Sequence, residues 1–193
     1  GKGTMAAVLG MDEDEIRQQL EKIEGDEVVD IANLNCPGQI VISGSRGGIE
    51  QAETLLKEAG ARRVLPLNVS GPFHSRLMKP ANEKFQQSLN EVTIKDATVP
   101  VYANVTASAV TDKDEIKQLL IEQLYSPVRF EESVRNMMEE DIDAFVELGT
   151  GNVLCGLVRK IDRKTKTFAI QDEQSLNEFL SWYKTCGDMS REK

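Results

Sequence analysis

Val28-Val29-Asp30-Ile31-Ala32-Asn33-Leu34-Asn35-Cys36-Pro37-Gly38-Gln39-Ile40-Val41-Ile42-Ser43 decides how the first third of this 193-residue chain folds. Two apolar, β-branched runs, residues 28–32 and 39–43, flank a stretch rich in Asn, Pro and Gly. The runs read as strands, and residues 33–38 read as a turn-rich link between them. Upstream, residues 5–9 form a short apolar strand, and Asp12 with Glu15 three residues on marks a helix start. Ile16, Leu20 and Ile23 follow at helical spacing. Downstream, Ile49, Ala52, Leu56 and Ala59 make a second helical stripe that Gly60 ends, and residues 63–67 read as a fourth strand. The order is βαββαβ.

That order over residues 4–67 is the ferredoxin-like arrangement, which hosts many functions and specifies none. Beyond it helices and strands alternate. Leu77, Ala81, Phe85 and Leu89 line a helix that begins near Ser75, and residues 99–102 read as a strand. A helix carrying Ile116, Leu119, Leu120 and Leu124 stops before Ser126-Pro127. Val134, Met137 and Met138 suggest another helix, and residues 144–148 a buried strand. Val153, Leu154, Leu157, Val158 and Ile161 give an apolar helix, followed by a strand at 167–170 and a helix over 176–182. Residues 187–193 read as a frayed polar end. Strands are few for the helices, so residues 68–193 read as part of a larger α/β core.

A net charge of −9 argues against broad nucleic-acid or anionic-membrane binding. No apolar run approaches the roughly 20 residues that span a bilayer, and the first residues do not read as a signal peptide. Three cysteines without a CxxC pair point to a reducing, cytoplasmic setting. With one histidine and no clustered cysteines, no zinc site is expected, nor any other cofactor.

That histidine, His74, lies in Gly71-Pro72-Phe73-His74-Ser75, where a strand end turns into a helix. Such turns project side chains at a sheet edge, where α/β proteins place ligands, and imidazole is the side chain suited to proton transfer near pH 7. Cys36 and Cys155 are conceivable nucleophiles beside it, although Cys155 falls in an apolar helix stripe. No G-x-S-x-G elbow occurs; Ser43-Gly44-Ser45-Arg46-Gly47 has Ser where the first Gly belongs. Gly149-Thr150-Gly151 reads as a tight turn rather than a phosphate loop. Asn33, Asn35 and Gln39 could serve a carbonyl or carboxylate ligand, or simply cap turns. Arg62-Arg63 is a solvated edge or a place for an acidic partner.

Together, residues 35–44 and 67–75, with Gln123-Leu124-Tyr125-Ser126-Pro127-Val128 and Glu147-Leu148-Gly149-Thr150-Gly151-Asn152-Val153-Leu154, resemble the malonyl-CoA:acyl carrier protein transacylases of bacterial fatty acid synthesis. The resemblance runs from Gly3 to about residue 180. It implies an α/β-hydrolase-like acyltransferase core, residues 68–193 being its C-terminal part, with an inserted ferredoxin-like subdomain at 4–67. It implies a Ser–His dyad that moves malonyl from CoA to the phosphopantetheine thiol of the carrier protein. His74 falls on the dyad histidine, and Gln123 on the residue whose carbonyl accepts the other imidazole N–H. Phe73 matches the malonyl-selecting form of the motif, and Asn33 and Asn35 fall on the pocket-lining turn. The family's G-H-S-x-G elbow, oxyanion-hole Gln and malonyl-pairing Arg precede everything seen here, so the chain reads as a C-terminal portion, inactive alone. The resemblance implies a monomer with malonyl-CoA and acyl carrier protein as partners. Two other readings stand beside it: a non-catalytic carrier-protein or CoA-binding module, and an acyl transferase or hydrolase using Cys36 with His74.

Overall fold

The computed structural model describes residues 3–190, with side chains to residue 186. It is a mixed α/β fold of two compact units, Gly1–Asn136 and Met137–Lys193.

In the first unit, β1 (Gly3–Leu9), β2 (Val29–Cys36), β3 (Gln39–Ser45) and β4 (Arg63–Pro66) form an antiparallel sheet in the order β2-β3-β1-β4. Helices α1 (Glu13–Leu20) and α2 (Arg46–Glu58) supply the crossovers. Asp12 and Glu15 form a reciprocal capping box at the start of α1, as their spacing predicts. Alternation along each strand then sorts the side chains. Ala6, Val8, Ile31, Ile40, Ile42 and Val64 pack with Ile16, Ile49, Ala52 and Leu56 of the helices. Met5, Ala32 and Val41 occupy the second face with Ala7, Leu67 and Val69.

The link at 33–38 is corrected. β2 continues through Cys36, and only Pro37-Gly38 turns the chain. Register shifts between Ile31 and Asn33 and between Leu34 and Cys36 let the Asn-bearing stretch stay paired with β3. Gly38 stands at φ 70°, a conformation that glycine adopts without steric cost and that a two-residue hairpin requires.

After β4 a helical stretch begins at Arg76 with Ser75 as its N-cap, first as a 3-10 helix (Arg76–Ala81) that contains Pro80 and then as α3 (Asn82–Asn90). A two-residue pair, β5 (Val101–Tyr102) and β6 (Ala109–Val110), precedes α4 (Lys113–Glu122) and α5 (Phe130–Met138). The second unit contains β7 (Phe145–Leu148) paired in parallel with β8 (Thr167–Ile170), α6 (Val153–Ile161) and α7 (Glu173–Ser190). β7 is not a buried strand: Val146 is exposed and Leu148 is 77% exposed. Of the stretch expected to fray, residues 187–190 continue α7, and 191–193 lie outside the described residues. Among the described residues, no helix is long and apolar enough to cross a membrane, and no cluster of His, Cys, Asp and Glu could hold a metal ion.

Candidate active site

The site grows from the loop that leaves β4. Leu67 N–H donates to the Met5 carbonyl, so the chain still follows the sheet as it approaches Gly71. Pro72 lies over the start of β1, where a Cβ on Gly3 would come within 2.6 Å of its ring. Only glycine at position 3 lets that loop sit so close. Ser75 is fully buried and its hydroxyl donates to the Pro72 carbonyl at 2.6 Å. Arg76 N–H donates to Asp30 on β2 at 2.9 Å, and its guanidinium pairs with the same carboxylate. The loop is thus fixed on both sides of His74, whose backbone is held at φ 58°. A non-glycine residue there costs about 1–3 kcal/mol and persists only where its surroundings over-determine it.

The half-buried imidazole points its Nδ1 at the Gln123 carbonyl, 2.8 Å away. A carbonyl oxygen can only accept, so Nδ1 carries the proton and the neutral ring keeps its lone pair on Nε2. Gln123 is the C-cap of α4. Carbonyls at a helix C-terminus lack intrahelical partners and carry partial negative charge, which suits them to an imidazole N–H. The Gln123 side chain is held as well, its Oε1 accepting from Asn104 Nδ2 at 3.1 Å.

Five residues on, Val128 clips onto β2. Its N–H donates to Ala32 O and its carbonyl accepts from Leu34 N–H, both at 2.8 Å, in a parallel bridge opposite Asn33. Leu34 packs with the helix-side core. Its sequence neighbours Asn33 and Asn35 lie where the register of β2 against β3 shifts, Asn33 still paired with Val41. The strand bearing both amides and the segment bearing the imidazole acceptor are one hydrogen-bonded piece.

Other candidates fall elsewhere. Phe73 is 38% exposed beside Gly71. Arg62 and Arg63 are exposed on the edge strand β4 and the turn before it. Cys36 is 1% exposed, which seals its thiol from a substrate. Cys155 is buried too, and desolvation first, then Glu147 beside it, pushes its thiol pKa up, away from a thiolate. The turn Gly149-Thr150-Gly151 leads into α6, whose second and third N–H groups, at Leu154 and Cys155, donate to the Glu147 carboxylate. That carboxylate takes the place an anion would need. Sequence reading passed over Asp30, Arg76 and Asn104, whose partners lie 19 to 46 residues away, beyond any local motif.

The model of the acyl transferase domain matches residues 1–176. The malonyl CoA-acyl carrier protein transacylase of Bacillus subtilis is 54% identical over 177 residues, covering 91% of this chain and 56% of that protein. A crystal structure of a malonyl CoA-acyl carrier protein transacylase from Clostridium perfringens superimposes with a TM-score of 0.93 at 36% identity, over 99% of this chain and 60% of that one. A malonyl-transacylase solved in complex with its type II PKS acyl-carrier protein gives 0.88 at 36% identity, over 91% and 57%. The chain therefore spans a little over half the length of the relatives it matches.

Proposed function

This chain belongs to the acyl transferase domain family, and on that premise we propose that it supplies the general base of a malonyl-CoA:acyl carrier protein transacylase. The observation that carries the reading is the 2.8 Å contact from His74 Nδ1 to the Gln123 carbonyl, which leaves Nε2 as the proton acceptor. A serine from the part of the relatives' length that this chain does not span gives its proton to Nε2 as its oxygen attacks the malonyl thioester. The tetrahedral intermediate collapses, the C–S bond breaks, and the imidazolium returns the proton to the CoA sulfur. The steps then reverse with the phosphopantetheine thiol: His74 takes its proton, the thiol sulfur attacks the seryl ester, and the serine oxygen leaves with the proton. Gln123 holds the tautomer throughout, the orienting role in triad chemistry.

In the same reading Asn33 and Asn35 line the acyl pocket, Phe73 favours the malonyl group, and Arg62 and Arg63 meet the acidic carrier protein. Residues 4–67, with their β2-β3-β1-β4 order, are the ferredoxin-like insert, and 68–193 the C-terminal part of an α/β-hydrolase-like core. The enzyme is a cytoplasmic monomer that needs no cofactor.

In the protein carried at the full length of its relatives, His74→Ala lowers malonyl transfer by about 10²–10⁴-fold, the usual contribution of a positioned acid–base group, while Cys36→Ser leaves it intact. Full activity in His74→Ala would overturn the assignment. Binding of carrier protein without turnover would favour the non-catalytic module.

A further inference from the structure

The only non-glycine residues at positive φ among the described residues are His74, at 58°, and Ala107, at 54°. They lie at the two ends of one path, which runs through the backbone turn that carries Asn104 and then through the Gln123 side chain. Ala107 is fully buried in the turn joining β5 to β6. Its N–H donates to Ala103 O at 2.8 Å, and its own carbonyl accepts from Asn136 Nδ2 on α5 at 2.8 Å. That fixed turn presents Asn104. The Asn104 side chain reaches Gln123, and its backbone carbonyl accepts from Arg129 N–H at 3.0 Å. Asn104 therefore grips both ends of residues 123–129. At one end is the carbonyl that meets His74, and just inside the other is Val128, clipped to β2.

We propose that Asn104 is a positioning residue for the His74 base: it aims the Gln123 carbonyl at Nδ1 and so maintains the tautomer with its lone pair on Nε2. Helix ends fray, and a C-cap carbonyl with no second anchor would swing with the last turn. Removing the Asn104 side chain leaves its backbone bond to Arg129 in place, so a substitution reports on the Gln123 contact alone. The inference rests on the reading of His74 as a base only for its kinetic consequence; its geometric part stands on this chain.

His74 is the one histidine in the sequence, so a long-range proton–nitrogen correlation spectrum of this chain shows a single imidazole. With the ring neutral, the parent chain is expected to show one form, protonated at Nδ1. Asn104→Ala shifts both nitrogens toward the average of the two tautomers. Asn104→Asp restores the parent pattern, because the Gln123 amide can turn and donate to the carboxylate. Gln123→Ala removes the same bond from its other partner, reproduces the Asn104→Ala spectrum, and adds nothing when the two are combined. A parent-like tautomer in folded Asn104→Ala overturns the proposal, and if that variant does not fold, a parent-like tautomer in Gln123→Ala does so. In the full-length enzyme, Asn104→Ala lowers kcat about tenfold at unchanged KM, the scale of one net hydrogen bond; an unchanged kcat beside a shifted tautomer also overturns it. Unimpaired transfer by His74→Ala would be a separate failure, that of the base assignment, and the spectra would still decide the geometry.

Discussion

The two units solve the problem of burying a sheet to different extents. In the first, four antiparallel strands carry two helices on one face, and Ile16, Ile42 and Leu56 are sealed between the layers. In the second, β7 and β8 run parallel, the pairing that proteins normally cover on both faces. There Leu148 and Val153 are 77% and 70% exposed. Antiparallel strands joined by a hairpin and two crossovers can complete a core from about sixty successive residues. A parallel pair depends on further layers, so the same apolar composition yields a closed core in one unit and an open face in the other.

The largest test of this contrast is Leu56→Ala. It empties space in the closed core and should cost about 2–5 kcal/mol of the first unit's stability by denaturant titration. A cost under about 1 kcal/mol would mean that core is as loose as the open face. Asp12→Ala removes half of the capping box of α1 and should cost about 1 kcal/mol in the same titration. Glu147→Gln probes the second unit's own helix cap. Hydrogen bonding, foremost from Cys155 N–H, holds the Glu147 carboxyl below its ordinary range. A depressed carboxyl stabilises the fold above its unfolded pKa of about 4.3, and that contribution is lost as pH falls through the folded value. The difference in Tm between the parent and Glu147→Gln should therefore shrink as pH drops from about 7 to about 3; an equal difference at both ends would remove the ionised cap from the account. Smallest is Leu148→Ser, expected to change stability by no more than about 0.5 kcal/mol. A larger loss would show that the Leu148 face is covered.

The sheet was legible where one rule acted alone. Short apolar runs bounded by turn residues placed β1, β3 and β4, and the Asp12–Glu15 spacing placed α1. Reading failed where two rules competed. Asn33 and Asn35 carry turn chemistry, yet pairing with β3 keeps them in a strand, and the register shifts absorb the misfit. The run at 144–148 has the apolar content of a buried strand, but burial depends on what lies over it, which local sequence does not state. β6 is two residues long and carries no period. Within the candidate site, the motif around His74 stood out, and the contact to Gln123 followed only from resemblance. Asn104 was invisible: one asparagine in a short turn, with meaning only through a partner 19 residues away.

The parallel bridge at Val128 has a consequence for how the protein behaves in a crowded solution. An outer strand with unpaired N–H and C=O groups is a template for foreign strands. β2 is such a strand, and Val128 occupies the Ala32 carbonyl and the Leu34 N–H in the middle of its rim. At the far rim, β4 ends in Pro66 and begins beside Arg62 and Arg63, which blunt it by another means. The segment that carries the imidazole acceptor thereby also blunts the outer rim of the first sheet against foreign strands.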